Sequence, residues 1–289
     1  MNNYHKYGKQ LFNSRYSSRI EIFFKGWYLL LILKVLLLGS LFDDLYRVAE
    51  LNNQIFFPFG VIQDPIFVKI ILIPVLICGL YFRRNYLLSL LIFFLYIPYY
   101  RIVHPIVNGS DLVLSSFLFL GIFCNNSPAA KSELTRSLQT LKIAGCILIG
   151  QVQIAFMYLT SGWDKLISIE WRNGDAIYNL LHVDFYAVPW LRETLGNSDA
   201  AMLVTVSWMV ILFELLFPVL IWFNKTKALI LIPGVLFHLF IGLFLSLPDF
   251  ALTMMWCYIL FMKDETLAKW ISLGSSRKLF RLNVWKLTI

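Results

Sequence analysis

Three ionisable residues, Lys165, Glu214 and His238, are the candidate catalytic residues of this sequence, because each lies in or beside a long apolar segment. A lysine can act as a base only as the free amine, which requires desolvation or neighbouring cations. A lysine near the end of a membrane helix is also the type of residue that snorkels to the interface. The position of Lys165 therefore leaves two interpretations, a functional residue and an interfacial structural residue.

A fourth ionisable residue, Lys34, lies in the first apolar segment at about the same predicted depth as Glu214 and His238. Charged groups near the centre of a bilayer cost several kcal/mol and usually face the bundle interior, where they find partners. One interpretation is a buried Lys34–Glu214 ion pair, with His238 donating to a backbone carbonyl. The other is a cavity, lined by all three, that handles protons or a polar head group.

The chain between residues 158 and 190 is rich in polar and aromatic residues. We expect a spanning helix to end at Ser161-Gly162, which would place Trp163, Asp164 and Lys165 at the membrane edge. The residues that follow are too few and too polar to span, so they predict an interfacial or re-entrant stretch. Such a stretch is tolerated where protein or a water-filled cavity satisfies its backbone.

Two further features have structural interpretations. Asp111, at the start of the fourth apolar segment, is expected to serve as a helix N-cap. The four cysteines lie in apolar runs without a C-x-x-C motif, so we interpret them as packing residues and expect no metal site. They are Cys78, Cys124, Cys146 and Cys257.

The elements that must position these residues are membrane helices. The 289 residues are 59% hydrophobic and 15% charged, with a mean hydropathy of +0.70, which excludes a soluble enzyme and a nucleic-acid-binding domain. Apolar runs between polar breaks predict an all-α bundle of about eight transmembrane helices. The predicted spans are 22–42, 65–82, 86–103, 111–124, 141–160, 200–223, 228–247 and 250–262.

The net charge of +8 is interpreted as a topology signal. Lys and Arg concentrate in alternate loops, which places both chain ends in the cytoplasm and predicts a multi-pass protein of the inner (cytoplasmic) membrane. Most acidic residues fall on the outer side. The whole chain, 1–289, is interpreted as a single transmembrane domain, with a basic N-terminal segment (1–21) and a basic tail (263–289).

The second half of the sequence resembles a known family, the HTTM domain, which is the membrane domain shared with vitamin K-dependent gamma-carboxylase. The resemblance depends on Tyr158-Leu-Thr-Ser-Gly-Trp-Asp-Lys165-Leu, then Trp171 and Gly174, with Glu214 and the Phe237-His238 pair further on. The sequence is also similar to membrane proteins of the sporulation-delaying SdpB type.

The resemblance implies that Lys165 is the base that deprotonates a reduced, vitamin K-like quinone, with Glu214 and His238 as supporting catalytic groups. It also implies that Trp163, Trp171 and Gly174 form the cofactor-binding part of the site. Asp164 stands where the carboxylase has a second lysine, and a carboxylate there favours the protonated ammonium. Protein glutamate carboxylation is therefore not the expected activity.

Two functions follow from the sequence. The first is a membrane enzyme that binds a quinone or similar lipid cofactor at an outward-facing site. The second is a non-enzymatic, SdpB-like factor for the maturation, export or neutralisation of a secreted antimicrobial peptide. In that case an acidic outer mouth would hold a cationic peptide and Lys165 would be structural. A transporter has less support because no inverted repeat is visible.

Overall fold

The described part of the chain is built from α-helices, and no strand occurs in it. A computed structural model describes residues 15–38, 65–82, 86–103, 109–124, 132–183, 186–262 and 266–267. The helices are α1 (Arg15–Leu38), α2 (Pro65–Tyr81), α3 (Tyr86–Val103), α4 (Gly109–Phe123), α5 (Glu133–Ile167), α6 (Ile169–Arg172), α7 (Asp175–His182), α8 (Pro189–Leu195), α9 (Ala200–Leu220), α10 (Lys227–Phe244) and α11 (Pro248–Cys257), which continues as a 3-10 helix (Tyr258–Phe261).

Three of these helices, α5, α9 and α10, are long and apolar enough to cross a membrane. The all-helical class predicted from the sequence is confirmed. The three helices that meet both the length and the hydropathy criterion are fewer than the eight spans predicted. Shorter apolar helices overlap four of the other predicted spans, at 69–81, 86–100, 109–123 and 248–261. The last residues of the first predicted span, 39–42, lie outside the described residues.

The expectation that the fifth spanning helix ends at Ser161-Gly162 is wrong, because α5 continues to Ile167. A glycine inside a helix costs only about 1 kcal/mol. Here the missing side chain allows close contact with α9. A Cβ at position 162 would lie 3.0 Å from the Leu215 nitrogen and 3.0 Å from the Glu214 Cβ. Packing between two helices therefore compensates for the local cost of the glycine.

The core of the bundle is aromatic and joins α1 to the other helices. Trp27 is fully buried, and its ring lies 5.0 Å from those of Phe23 and Phe117. Its indole Nε1 donates a hydrogen bond to the Leu114 carbonyl at 3.3 Å, which satisfies the polar end of the ring. Three of the four cysteines are buried in apolar surroundings, whereas Cys78 is exposed; all four are free thiols.

The short helices α6, α7 and α8 form a cap with a small apolar core of its own. Ile177 and Leu181 of α7 and Leu191 of α8 pack against Leu203 near the start of α9. This arrangement positions the segment after Lys165 along α9. Whether this cap lies at the membrane interface stays a prediction.

Candidate functional site

The candidate site lies where α5 packs against α9. Contacts run in opposite directions along the two segments: Tyr158 stacks on Phe217, Lys165 reaches Glu214, and the carbonyl of Trp171 accepts a hydrogen bond from the Ser207 hydroxyl. Glu214 is about 21 Å along α9 from the first residue of that helix, at about 1.5 Å per residue. Lys165 therefore faces the interior of a helix–helix contact.

Lys165 is held by several contacts at once. Its Nζ donates to Glu214 Oε2 at 2.7 Å and to Ser161 Oγ at 2.6 Å, and it lies 5.0 Å from the centre of the Trp171 ring. The exposed fractions of the Lys165 and Glu214 side chains are only 17% and 8%. These partners, two hydrogen-bond acceptors and an aromatic ring, fix the position of the Lys165 side chain.

The chain turns sharply after Lys165, and this turn places the Trp171 ring. Ser168 caps the short helix α6 through its side chain, which accepts a hydrogen bond from the Trp171 amide. Gly174 then adopts φ 83°, in the left-handed region that favours glycine. A Cβ at position 174 would lie 2.7 Å from the Val204 nitrogen. Gly174 therefore allows the cap to pack against the α9 backbone.

Replacing Gly174 with alanine should destabilise the protein by about 1–3 kcal/mol. The new Cβ would be strained by the left-handed backbone at this position, and it would also overlap the backbone of α9. The measurement is the midpoint of thermal unfolding in detergent. Gly145, whose built Cβ meets nothing within 4 Å, provides the matched control, and Gly145→Ala should be neutral or stabilising. Equal midpoints for Gly174→Ala and the wild type would contradict this role.

The proposed Lys34–Glu214 ion pair is wrong, because the two residues have different partners. Lys34 Nζ lies 2.7 Å from Asp111 Oδ1 and 2.9 Å from Asp249 Oδ2, and it also donates to Ser110 Oγ at 2.9 Å. The Ser110 hydroxyl in turn donates to Asp249 Oδ2 at 3.1 Å. We call these four residues the Lys34 cluster, and it joins α1, α4 and α11.

The expected N-cap role of Asp111 is also wrong. Asp111 is the third residue of α4, inside its first turn, and only 1% of it is exposed. Its carboxylate faces the Lys34 ammonium. Acidic residues in a first turn interact favourably with the helix dipole, but the contact that this structure provides is the ion pair with α1.

One interpretation of the sequence expected His238 to donate to a backbone carbonyl, and the structure contradicts it. Its Nε2 lies 2.6 Å from Tyr158 Oη, which lies 2.6 Å from Tyr258 Oη. All three residues are buried. His238 thus belongs to a hydrogen-bonded row, which we call the Tyr–His–Tyr row, and it makes no direct hydrogen bond to Lys165 or Glu214.

The structure therefore brings together only some of the residues that the sequence predicts for one site. Lys165, Glu214 and Trp171 are in contact, and Gly174 positions the chain beside them. Trp163 is 56% exposed. The carboxylate of Asp164 is also exposed and forms no ion pair with Lys165, so Glu214 takes the role that the sequence suggested for Asp164. The residues His238, Lys34 and Asp111 belong to the two other polar groups.

Several polar contacts were not anticipated from the sequence. Ser161 lies four residues before Lys165, a spacing that places two side chains on one helix face. A prediction that extended α5 beyond Gly162 would therefore also have predicted this contact. The partners contributed by distant helices, Ser207, Asp249 and Tyr258, have no comparable local signal. Asp249 stood out only as one of many acidic residues on the predicted outer side.

Comparisons with known proteins show one partial similarity. A segment of 115 residues is 28% identical to the sporulation-delaying protein SdpB of Bacillus subtilis (strain 168), and it covers 39% of this chain and 36% of that protein. The similarity thus spans about a third of the length of the curated relative. No family model matches the chain, so membership of the HTTM family stays a prediction. No solved structure matches it. The chain is a helical protein with membrane-type helices and a weak similarity to SdpB.

Proposed function

We propose that this protein is an SdpB-like membrane protein that takes part in the maturation, export or neutralisation of a secreted peptide. It would cross the cytoplasmic membrane about eight times, with both ends in the cytoplasm. The observation that carries this proposal is the similarity to SdpB. The three spanning-type helices and the shorter apolar helices support the membrane location.

The contacts of Lys165 favour a structural role over a catalytic one. A base must give up its proton and present a free amine to its substrate. Lys165 instead donates to Glu214 and Ser161, and only 17% of its side chain is exposed. The Lys165–Glu214 ion pair joins α5 to α9. This supports the non-enzymatic alternative.

The cap provides a surface for a cationic peptide in this proposal. Among the exposed side chains of the described cap that carry a full charge, acidic ones outnumber basic ones, and the basic one is Arg172. Acidic surfaces attract cationic partners and raise the rate of encounter. The exposed acidic residues in this part of the described chain are Asp164, Glu170, Asp175, Glu193 and Asp199.

The test is a comparison of secreted peptides, by mass spectrometry, from the native host, from a strain lacking this gene and from complemented strains. We expect at least one mature secreted peptide to disappear in the deletion strain and to return with the wild-type gene. Lys165→Arg should also restore it, because arginine keeps the charge and can pair with Glu214. An unchanged peptide profile in the deletion strain would contradict the proposal.

A second candidate function, the quinone-linked enzyme with Lys165 as base, has one supporting observation. The 2.7 Å contact with Glu214 offers a carboxylate that could exchange a proton with the lysine. In this case Lys165→Arg should abolish function although the protein still folds and inserts. Extraction and mass spectrometry should also find a stoichiometric quinone with the wild-type protein and less with Lys165→Ala. Finding only bulk phospholipid in both would count against this second function.

A further inference from the structure

The Tyr–His–Tyr row is a buried polar group that makes no hydrogen bond to the Lys165–Glu214 pair. The exposed fractions of Tyr258, Tyr158 and His238 are 4%, 3% and 1%. Both hydrogen bonds along the row measure 2.6 Å. The second ring nitrogen of His238, Nδ1, has no hydrogen-bond partner among the described residues. Buried polar atoms are nearly always paired, so an unpaired one needs an explanation.

The number of unsatisfied groups decides in which direction the hydrogen bonds of the row run from donor to acceptor. If His238 Nε2 donated to Tyr158, then Tyr158 would donate to Tyr258, and two groups would lack a partner: the Tyr258 hydroxyl proton and the Nδ1 lone pair. In the opposite direction, Tyr258 donates to Tyr158 and Tyr158 donates to Nε2. Only one donor is then unsatisfied, the Nδ1–H of His238. Since each buried unpaired donor costs stability, the second arrangement is favoured.

The surroundings of His238 select an uncharged partner. The rings of Phe237 and Phe250 lie with their centres 5.2 and 5.6 Å from that of the imidazole. An anionic acceptor would need a cation nearby, but Lys165 and Lys34 are already engaged by carboxylates. A neutral oxygen on an apolar molecule fits both the unsatisfied donor and the aromatic surroundings.

We infer that the Nδ1–H of His238 binds the carbonyl oxygen of an uncharged, lipid-soluble molecule. Nδ1 is closed to the exterior of the protein on every side, so binding requires the surrounding side chains to move aside. The neighbouring α10 residues Val235 and Leu239 are apolar and 36% and 40% exposed, so entry on this side would suit a molecule dissolved in the bilayer. The ester carbonyl of a phospholipid and the carbonyl of an isoprenoid quinone share this chemistry. The inference does not depend on a role with peptides or on Lys165 as a base.

The test uses the full chain, delipidated in detergent, with one equivalent of a probe labelled with carbonyl ¹³C. One probe is phosphatidylglycerol labelled at its ester carbonyls, and the other is an isoprenoid benzoquinone labelled at its ring carbonyls. Infrared difference spectra report a hydrogen-bonded carbonyl as a band shifted to lower wavenumber. We expect about one such carbonyl per protein with one of the probes, which identifies the source of the ligand.

Two substitutions distinguish the contributions of the two ring nitrogens of His238. In His238→Asn the side-chain amide reaches only as far as Nδ1, so the shifted band should persist. In His238→Gln the amide reaches the position of Nε2 instead, so the band should fall at least about tenfold. Tyr258→Phe leaves the Tyr158–His238 bond and the Nδ1–H in place, so it should retain the band.

Two results would overturn the inference. One is the absence of a shifted band with both probes in folded wild-type protein, as established by its helical circular dichroism. The other is an equal band in wild type and His238→Gln. The wild-type measurement alone is sufficient for the first result, so the test does not depend on any variant folding.

Discussion

Glu214→Gln is expected to lower the free energy of unfolding by about 3–5 kcal/mol, because it leaves the Lys165 ammonium without a carboxylate in a buried helix contact. The amide preserves the size of the side chain, so the change removes charge rather than volume. The measurement is the thermal midpoint of the purified protein in detergent, followed by size-exclusion chromatography. For a chain of this size, each kcal/mol corresponds to a shift of about 2–4 °C.

A double variant distinguishes the ion pair from general damage to the core. Replacing both partners with apolar residues, Lys165→Met with Glu214→Leu, should recover most of the loss, because no charge is then left unpaired. Asp164→Asn is the matched control, since that carboxylate is exposed and makes no ion pair with Lys165. Its effect should stay within about 0.5 kcal/mol. If Glu214→Gln behaves like Asp164→Asn, the pair does not contribute to stability.

Lys34→Met is expected to have a similarly large effect, a loss of about 3–5 kcal/mol, because it removes the ammonium that lies between Asp111 and Asp249. Asp111 is almost completely buried, so water screens its charge poorly. The thermal midpoint in detergent is again the measurement. Adding Asp111→Asn to Lys34→Met should recover part of the loss, because it removes one of the two carboxylates.

A second pair on α1 provides the control for Lys34. Lys25 and Glu21 form an ion pair of 2.8 Å one turn apart, and more than a third of the Lys25 side chain is exposed. Lys25→Met should cost no more than about 0.5 kcal/mol. If Lys34→Met costs no more than Lys25→Met, the Lys34 cluster is not a stabilising unit.

Combining the two large substitutions tests which lysine belongs to which carboxylate. Lys34 and Glu214 share no partner among the described residues, so the losses in Lys34→Met and Glu214→Gln should add. A direct Lys34–Glu214 pair, one of the two interpretations of their similar predicted depth, predicts instead that the second substitution adds little to the first.

The sequence by itself determined the helical class and the positions of many helices. An apolar run between charged residues is a local feature, and in a bilayer only a helix or closed barrel satisfies every backbone group. The predicted range 86–103 coincides with α3, and the predicted segment 65–82 differs from α2 by a single residue. Polar residues within such runs, such as Glu214 and His238, were also recognised as candidates for interior positions, and both are buried.

Only the tertiary structure decided which polar residues meet. Depth along a helix can be counted from the sequence, but the direction in which a side chain points depends on the rotation and neighbours of its helix. Lys34, Glu214 and His238 have similar predicted depths, yet Lys34 pairs with residues of α4 and α11, whereas Glu214 and His238 contact two different residues of α5. The partners of Lys34 and Lys165 are as far as 215 and 49 residues away, and no local pattern specifies such a separation.

The end of α5 also depended on tertiary contacts, for a physical reason. A Ser-Gly pair followed by polar residues has the local features of a helix end, because glycine weakens a helix. Close packing of Gly162 against α9, together with the Lys165–Glu214 ion pair, favours continuation to Ile167. Local propensities of about 1 kcal/mol therefore predict helices, while larger packing and charge terms from distant residues determine where this helix ends and what Lys165 contacts.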